Sequence, residues 1–590
     1  MTTSRIKNVL VCVFALAAFA GFADTDILIT SDTTLDASTI EADAIYRVPS
    51  GVTLTIDVDS NVSCRCLRND SESNPGGKVV KKGSGTLTLT KRSDNLVAYY
   101  INVEIEGGAI FLSANGKQED GGQPKIHNAT FVLGANSADV PLDNDYHPEF
   151  SGPVTISNET AKSVFSYREH GLGTDGTNRG RIYGSDKLTK GGAGTLTFLS
   201  KFSVNPNAIE VKDGTLLLYV KNSTEAYTYT GNFSGKGRLG KTGAGTLTVS
   251  NVVEQTYAGG IEVVEGEMRL SSDCAKTVAG VYGNGTLVNA STSTLYLVCN
   301  YASGSVYSNT YAVDGGTVKT TSGDISLGKS PDRGFARNAT FILDGGTLTG
   351  YGWPRFYETN TFDVTTSATI YKNADSDLRF CGNSNVGCTI VKKGAATLTF
   401  DIDIGEEGYP GKTALVIDAG RVCYQKRDSF KHAIRCNSIT GAGDFYVADF
   451  PVGIGCSGLH ISNLTLSDNA SFQGIYKDDV TITGRFQPRR ALSDLSQRFA
   501  FADGATIDVS ALDAAFGGDG VFFNSATEGA TVTVDVGARN DFKSGDYLCR
   551  LGAKPTMNLA FSGTKVARWE AVGVADGIKA IAPGLVLVFR

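Results

Sequence analysis

The residues Lys190-Gly191-Gly192-Ala193-Gly194-Thr195-Leu196-Thr197-Phe198 join a basic side chain, a glycine-rich turn and an alternation of threonine with apolar residues. Glycine permits backbone conformations with positive φ and the close approach of another segment. The alternation has the two-residue period of a strand that buries one face. This stretch therefore predicts a tight turn that leads into a half-buried β-strand.

The same unit occurs at three further places. They are Lys82-Gly83-Ser84-Gly85-Thr86-Leu87-Thr88-Leu89, Lys241-Thr242-Gly243-Ala244-Gly245-Thr246-Leu247-Thr248-Val249 and Lys393-Gly394-Ala395-Ala396-Thr397-Leu398-Thr399-Phe400. The last copy has an alanine where the others have the second glycine. The residues that define the four turns are Gly85 with Thr86, Gly194 with Thr195, Gly245 with Thr246, and Thr397.

Each copy has a downstream companion that consists of a strand, a small or acidic turn ending in glycine, and a second strand. The companion glycines are Gly108, Gly214, Gly266 and Gly420. The two turns of a unit lie about 20 to 24 residues apart, which is the period of a solenoid coil. A single coil cannot bury its apolar face, whereas stacked coils share a continuous core. We expect an all-β, right-handed parallel β-helix in which the companion turn lies on the coil above.

Gly243 to Val249, Gln255 to Gly260 and Ile261 to Leu270 together resemble the autotransporter-associated strand repeat of bacterial autotransporters. In that family the repeat forms part of a secreted β-helical passenger and is thought to assist its transport or folding. The resemblance covers about 78–112, 187–219, 238–270 and 389–424; the third copy matches throughout, and the others match at their two ends.

The resemblance implies an exported protein that contacts the export machinery and the outer membrane during secretion. Autotransporters normally end in a large transmembrane β-barrel, which needs at least eight strands of about ten residues. Residues 491–590 predict too few such strands. We expect instead a C-terminal β cap or small β domain there, although further coils of the same solenoid are nearly as good an interpretation.

Composition and the N-terminus agree with an exported solenoid. Gly accounts for 70 of 590 residues, and the net charge of −7 is small, which argues against a basic nucleic-acid surface. Arg5 and Lys7 precede an apolar run, with Gly21 and Ala23 before the expected cleavage site. We predict a signal peptide over 1–23, a β-helix over 24–490, and an extracellular or cell-surface location; a membrane anchor is the alternative for the first segment.

Metal, cofactor and disulfide chemistry have little support in the pattern of residues. The eleven cysteines show no Cys-x-x-Cys pairs, and no His-x-x-x-His spacing accompanies them. Export makes disulfides possible, whereas Cys423 at an apolar strand position favours a buried thiol. We therefore predict no metal and no cofactor.

An enzyme is the main alternative to a structural protein, because parallel β-helices also host polysaccharide lyases and hydrolases. Asp401 and Asp403 would place two carboxylates on one face of a strand, and glycoside cleavage uses such a pair. Carboxylates at solenoid turns are usually solvated, however, and the five histidines are far apart in the sequence. We predict no catalytic residues, with Asp401 and Asp403 as the weak alternative.

Trp353, Phe356 and Tyr357 form an aromatic cluster after a predicted turn. Exposed aromatic rings can stack on sugar rings, so these three residues are the candidate ligand-binding site; packing between coils is the competing interpretation. The sequence thus predicts a surface-displayed or secreted bacterial solenoid with a structural or adhesive, passenger-like role. Its expected partners are carbohydrate or other components of a host or cell surface, its oligomeric state is open, and no nucleic-acid partner is expected.

Overall fold

The computed structural model describes 24–69, 77–90, 96–113, 125–144, 149–151, 153–158, 162–167, 181–184, 187–198, 201–202, 207–250, 255–271, 276–290, 292–299, 311–321, 323–329, 332–351, 355–371, 387–402, 413–424, 433–434, 438–447, 451–454, 460–461, 463–466, 471–472, 480–487, 499–510, 522–523, 530–539, 544–545, 547–551, 558–563, 569–574 and 577–582. The predicted signal peptide lies outside these ranges. The chain divides into two compact units, 1–276 and 277–590.

The first unit consists of short β-strands in its described part. They are β1 (Thr25–Leu28), β2 (Thr33–Leu35), β3 (Ala44–Arg47), β4 (Thr53–Asp57), β5 (Val62–Cys64), β6 (Cys66–Arg68), β7 (Lys78–Lys82), β8 (Thr86–Leu89), β9 (Leu96–Tyr99), β10 (Asn102–Ile105), β11 (Gly108–Leu112), β12 (Lys125–His127), β13 (Thr130–Leu133), β14 (Ser137–Asn144), β15 (Glu149–Ser151), β16 (Val154–Asn158), β17 (Lys162–Tyr167), β18 (Arg181–Gly184), β19 (Lys187–Gly191), β20 (Thr195–Phe198), β21 (Lys201–Phe202), β22 (Ala208–Val211), β23 (Thr215–Tyr219), β24 (Ala226–Tyr229), β25 (Asn232–Ser234), β26 (Arg238–Thr242), β27 (Thr246–Val249), β28 (Gln255–Tyr257), β29 (Ile261–Val263) and β30 (Glu267–Leu270).

Short strands also make up the described part of the second unit, 277–590, the first of them beginning at Lys276. They are β31 (Lys276–Val278), β32 (Val281–Tyr282), β33 (Thr286–Asn289), β34 (Leu295–Leu297), β35 (Val313–Asp314), β36 (Thr317–Thr320), β37 (Ile325–Lys329), β38 (Asp332–Arg333), β39 (Phe335–Arg337), β40 (Thr340–Asp344), β41 (Thr347–Gly350), β42 (Arg355–Thr366), β43 (Ala368–Tyr371), β44 (Cys388–Lys393), β45 (Thr397–Asp401), β46 (Thr413–Ile417), β47 (Arg421–Tyr424), β48 (Ala433–Ile434), β49 (Ser438–Thr440), β50 (Asp444–Val447), β51 (Pro451–Ile454), β52 (His460–Ile461), β53 (Asn463–Leu466), β54 (Ser471–Phe472), β55 (Val480–Ile482), β56 (Arg485–Gln487), β57 (Phe499–Phe501), β58 (Thr506–Asp508), β59 (Phe522–Phe523), β60 (Thr531–Asp535), β61 (Tyr547–Leu551), β62 (Asn558–Ser562), β63 (Glu570–Val574) and β64 (Gly577–Ile581).

In the first unit, successive strands of the chain join three parallel sheets in rotation. The first sheet runs β1-β3-β6-β9-β12-β15-β18-β21, and the second runs β2-β4-β7-β10-β13-β16-β19-β22-β25. The third face begins with the parallel pairs β5–β8 and β8–β11. Each turn of the chain thus places one strand on each face, which is a β-solenoid and confirms the predicted fold class.

The interior of the first unit is built from ladders of inward-facing side chains. Leu54 lies opposite Val79, Val79 opposite Val103, and Val103 opposite Phe131 on successive coils. All four are at most 1% exposed. Because alternate residues of a strand face opposite sides, this ladder is the structural reason for the Thr/Leu alternation in the sequence.

The second unit has the same parallel arrangement. One sheet includes β34, β37, β41, β43, β45, β47, β50, β53, β56, β58, β60 and β62 in that order. Strand β42 serves two faces, since Phe356 pairs with β39 and Phe362 pairs with β40. Between those pairings Glu358 has a φ of 56° and turns the strand around a corner. The described residues contain no α-helix and hence no helix that is long and apolar enough to cross a membrane.

Residues 491–590 combine two kinds of pairing. Strands β58, β60 and β62 continue the parallel sheet of the second unit. Strand β64 instead pairs antiparallel with β61 and with β63. A small mixed sheet, β59-β61-β64-β63, therefore accompanies the last parallel strands of this region.

The registers confirm that each companion lies on the coil above its turn. Strand residues directly after the turns face strand residues directly after the companion glycines. The pairs are Thr86 with Ala109, Thr195 with Thr215, Thr246 with Glu267, and Thr397 with Arg421. The spacing in the sequence is therefore the length of one coil.

Candidate functional site

A buried lysine stands in front of each of the four glycine turns. Lys81, Lys190, Lys241 and Lys392 have no exposed surface, although lysine is almost never fully buried unless it is paired. Each lies two residues before a glycine with positive φ. Those glycines are Gly83 (70°), Gly192 (72°), Gly243 (81°) and Gly394 (75°). We call each arrangement of buried lysine and glycine turn a lysine corner.

The lysines occupy positions in the ladders that are otherwise apolar. Lys81 lies between Ile56 on the coil before and Ile105 on the coil after. The other three have similar neighbours: Ile156 and Val211 for Lys190, Leu218 and Val263 for Lys241, and Phe362 and Ile417 for Lys392. The aliphatic stem continues the ladder, and only the ammonium group needs polar partners.

Backbone carbonyl groups supply those partners. The Lys392 ammonium donates to the carbonyl oxygens of Gly394 at 2.5 Å, Ala396 at 2.6 Å and Ala419 at 2.9 Å. Gly394 and Ala396 belong to the lysine's own turn, whereas Ala419 belongs to the companion turn on the next coil. Lysine has three N–H donors and no acceptor, so three carbonyl oxygens satisfy it completely.

The other lysine corners repeat this bonding across two coils. Lys81 donates to Lys82, to Gly83 at 3.1 Å and to Gly107 at 3.3 Å; Lys190 donates to Gly192 and to Asp213 at 2.8 Å; Lys241 donates to Gly243 and to Glu265 at 2.8 Å. In each case at least one acceptor lies on the following coil. The ammonium group therefore bridges two successive coils.

The first and fourth copies need a correction to the sequence motif. Lys82 and Lys393, which open those copies in the sequence, lie outside the core, while the residue before each of them is buried. Lys82 is 45% exposed and forms an ion pair with Glu106 at 3.3 Å. The strand period of two places Lys81 on the same face as Val79, but only the carbonyl groups of two stacked coils make that buried position acceptable for a lysine.

The glycines of the corners are required by close contacts between coils. Gly214 has a φ of 61°, and a Cβ atom there would lie 2.3 Å from the Gly194 oxygen and 2.4 Å from the Lys190 ammonium nitrogen. Gly266 and Gly420 meet Lys241 and Lys392 in the same way. The repeat-defining glycines identified in the sequence thus serve to stack one corner on the next.

Burial disfavours the charged form of these lysines. It lowers the pKa of Lys81, Lys241 and Lys392 to about 8 each. Neighbouring carboxylates act in the opposite direction: Asp57 and Asp59 on Lys81, Glu265 and Glu267 on Lys241, and Asp363 on Lys392. Lys81, Lys241 and Lys392 are therefore protonated at neutral pH but lose their charge more readily than free lysine does.

A second polar feature lies on the outside of the second unit, near the predicted aromatic cluster. We call Tyr311, Phe335, Arg337 and Tyr357 the aromatic patch; Phe335 is buried, and the other three side chains are partly exposed. The Arg337 guanidinium carbon lies 4.3 Å from the centre of the Tyr311 ring, and the Tyr357 ring lies 5.8 Å from Tyr311 and 6.0 Å from Phe335. Arg337 and Tyr311 were not identified from the sequence, since only the coil register brings them beside Tyr357.

The three residues predicted to bind a ligand separate in the structure. Phe356 has no exposed surface and packs against Phe341 and Phe362, with ring centres 6.0 and 5.7 Å away. Tyr357, the next residue, faces outward and is partly exposed. Trp353 lies outside the described residues. Of the two described residues, only Tyr357 offers a surface to a ligand.

Replacing Phe356 and Tyr357 separately by leucine should have unequal effects on stability. We expect Phe356→Leu to lower the free energy of unfolding by about 1.5 kcal/mol because it leaves a gap in a packed aromatic core. Tyr357→Leu should cost about 0.5 kcal/mol, since its ring is partly solvated. Urea denaturation of both variants measures the difference, and equal losses would contradict the opposite orientations of the two rings.

The other predicted chemistry has weaker geometry. Asp401 is 7% exposed at the end of β45, and Asp403 lies outside the described residues. Cys64, Cys66, Cys299, Cys388 and Cys423 are all buried, which agrees with the burial expected for Cys423. Within the described ranges no group of three potential ligands is arranged for a metal ion.

One cavity in the first unit has a volume of about 10 Å³ and is lined by residues that include Val211, Phe233 and Tyr257. Such a space holds a single water molecule rather than a substrate.

No protein-family model, no curated protein and no solved structure matches the chain.

Proposed function

We propose that this protein is an exported bacterial β-solenoid, displayed on or released from the cell surface, with a structural or adhesive role like that of an autotransporter passenger. The observation that carries the proposal is the lysine corner, which recurs at the four copies of the autotransporter-type repeat. A buried cation that donates to backbone carbonyls of two successive coils joins those coils and has no surface to present to a substrate. The repeat therefore serves the architecture.

The outer surface supports polar rather than apolar recognition. Among the described residues, only Leu28, Val132 and Val264 are large apolar side chains with substantial exposure, and they lie far apart in the sequence. Adjacent coils instead present ion pairs, such as Lys187 with Glu210 at 2.7 Å and Arg238 with Glu262 at 3.1 Å. A carbohydrate, with its many hydroxyl groups, fits such a surface better than an apolar partner does.

Within this role, the aromatic patch is the contact site that we propose for carbohydrate. It combines partly exposed tyrosine rings with a guanidinium group and has Glu358 at 4.0 Å from Arg337. Aromatic rings stack on the apolar face of a sugar, while charged and amide groups bond its hydroxyls. The alternative role, a polysaccharide lyase or hydrolase that uses Asp401 and Asp403, has no comparable cluster of described groups in its favour.

The test is binding and turnover on a broad polysaccharide array, with bound protein and released reducing ends scored together. We expect retention on a subset of glycans without product, and at least tenfold weaker retention for Tyr357→Ala and Arg337→Ala. Tyr446→Ala is the matched control, because Tyr446 also lies under a guanidinium, that of Arg421 at 5.4 Å, but outside the patch.

Two outcomes would overturn parts of the proposal. Reducing ends that disappear in the double variant Asp401→Asn, Asp403→Asn would make the protein an enzyme. Equal losses of retention in Tyr357→Ala and Tyr446→Ala, with folding intact, would remove the patch as the contact site. Complete absence of binding would exclude the adhesive role toward the arrayed glycans and leave the structural role.

A further inference from the structure

The turn of the lysine corner also occurs with an aliphatic residue in place of the lysine. In the second unit Val281, which is 1% exposed, lies two residues before Gly283, whose φ is 89°. Val313 precedes Gly315 and Ile439 precedes Gly441 in the same way, and both glycines have positive φ. The chain therefore contains two classes of corner that share a glycine with positive φ, which we call lysine corners and aliphatic corners.

The two classes differ in what they offer to the next coil. Above Val281 lies Gly316, and a Cβ atom built there would be 3.1 Å from a Val281 methyl group. This contact is of the van der Waals type only. At the corresponding place above Lys190, the ammonium donates a hydrogen bond to the Asp213 carbonyl oxygen at 2.8 Å. A lysine corner thus adds a charged, directional bond to the same stacking.

The bonding at a lysine corner has a direction along the chain. The acceptors lie on the lysine's own turn and on the coil that follows it. When the following coil is open, the ammonium loses at least one acceptor while its stem remains in an apolar ladder. A buried charge without its partners is strongly unfavourable. Opening the next coil therefore removes a partner of the charge and destabilises the lysine's own turn as well.

We propose that each lysine corner is a latch that makes its own coil and the following coil open and close as one cooperative pair, whereas an aliphatic corner lets the following coil open by itself. The pairs are 78–112, 187–219, 238–270 and 388–424. This explains why the copies of the repeat agree at their two ends and differ between: the ends are the two turns that the ammonium group joins.

Native-state hydrogen exchange of the purified chain, measured by mass spectrometry over a range of low urea concentrations, tests the latch. In the unaltered protein we expect the opening free energies of 195–198 and 215–219, obtained from their exchange rates, to depend on urea concentration in the same way. The same should hold for 246–249 and 267–270. Across the aliphatic corner at Ile439, strands 444–447 and 463–466 should have two different urea dependences. A common dependence at both classes of corner would overturn the proposal without any variant.

The variant Lys190→Ile converts a lysine corner into an aliphatic one and copies the corner at Ile439. We expect 215–219 to exchange at least tenfold faster than in the unaltered protein and to separate from 195–198. Lys187→Ile is the control, because Lys187 lies on the same strand and also reaches the next coil, through the exposed ion pair with Glu210. The latch would also be overturned if Lys190→Ile and Lys187→Ile changed exchange equally. The same holds if 215–219 and 195–198 still exchanged together in Lys190→Ile.

Discussion

Replacing Gly214 by alanine should lower the free energy of unfolding of the first unit by about 3 to 4 kcal/mol. About 1 kcal/mol of this arises from a non-glycine residue at positive φ. The rest arises because the new Cβ atom would lie 2.3 Å from the Gly194 oxygen and 2.6 Å from the Ala193 carbonyl carbon. Both atoms belong to the backbone of the coil below, so the two coils have to separate.

Gly51→Ala is the matched control for this substitution. Gly51 has a φ of 83°, yet a Cβ atom there would have no neighbour within 4 Å. We expect that variant to lose only about 1 kcal/mol, from backbone strain alone. Chemical denaturation of both variants gives the comparison, and similar losses would show that strain, and not the stacking of corners, requires glycine at Gly214.

Replacing Lys392 by methionine should destabilise the second unit by about 2 kcal/mol at pH 7. Three buried carbonyl oxygens lose their donor, which costs on the order of 4 kcal/mol. The variant also lacks the buried charge, and the absence of that charge stabilises its folded state by roughly 2 kcal/mol. Lys393→Met, at the exposed neighbouring position, should change stability by less than about 0.5 kcal/mol.

The cost of Lys392→Met should grow as the pH rises. Burial lowers the folded-state pKa of Lys392 to about 8 from the ordinary 10.5, so the folded protein loses this proton before the unfolded chain does. Between those two values the unfolded state binds more protons, and the stability of the unaltered protein rises with pH. The variant lacks this contribution, and the difference should approach about 4 kcal/mol near pH 10.

Denaturation curves of the unaltered protein, Lys392→Met and Lys393→Met between pH 7 and 10 measure this effect. Lys393→Met serves as the reference for all other groups that titrate in this range. A difference between the two variants that shrinks with rising pH would mean that the carbonyl oxygens favour the charged lysine more strongly than burial opposes it.

The period of the repeat was sufficient to predict the architecture. A glycine turn followed by a Thr/Leu alternation, with a companion about one coil later, requires a strand on each coil and a turn above a turn. The registers of Thr195 with Thr215 and of Thr246 with Glu267 agree with that expectation. Such a pattern is local in the chain, since each coil contacts mainly its sequence neighbours.

The candidate sites were less predictable because they depend on the register between coils. Phe356 and Tyr357 are adjacent aromatic residues, and the sequence alone assigns them the same role. The strand alternation places Phe356 against Phe341 in the core and Tyr357 beside Tyr311 outside. Arg337 joins this patch because the register aligns it with Tyr357.

The amino-acid sequence by itself determined the solenoid, the coil length and the places where coils stack, because these follow from side-chain periodicity and from glycine. Only the tertiary structure decided that Lys81 and Lys392, and not Lys82 and Lys393, enter the core. The physical reason is that a lysine is stable there only when carbonyl groups of two successive coils surround it. Those carbonyls come together only after the chain has stacked on itself.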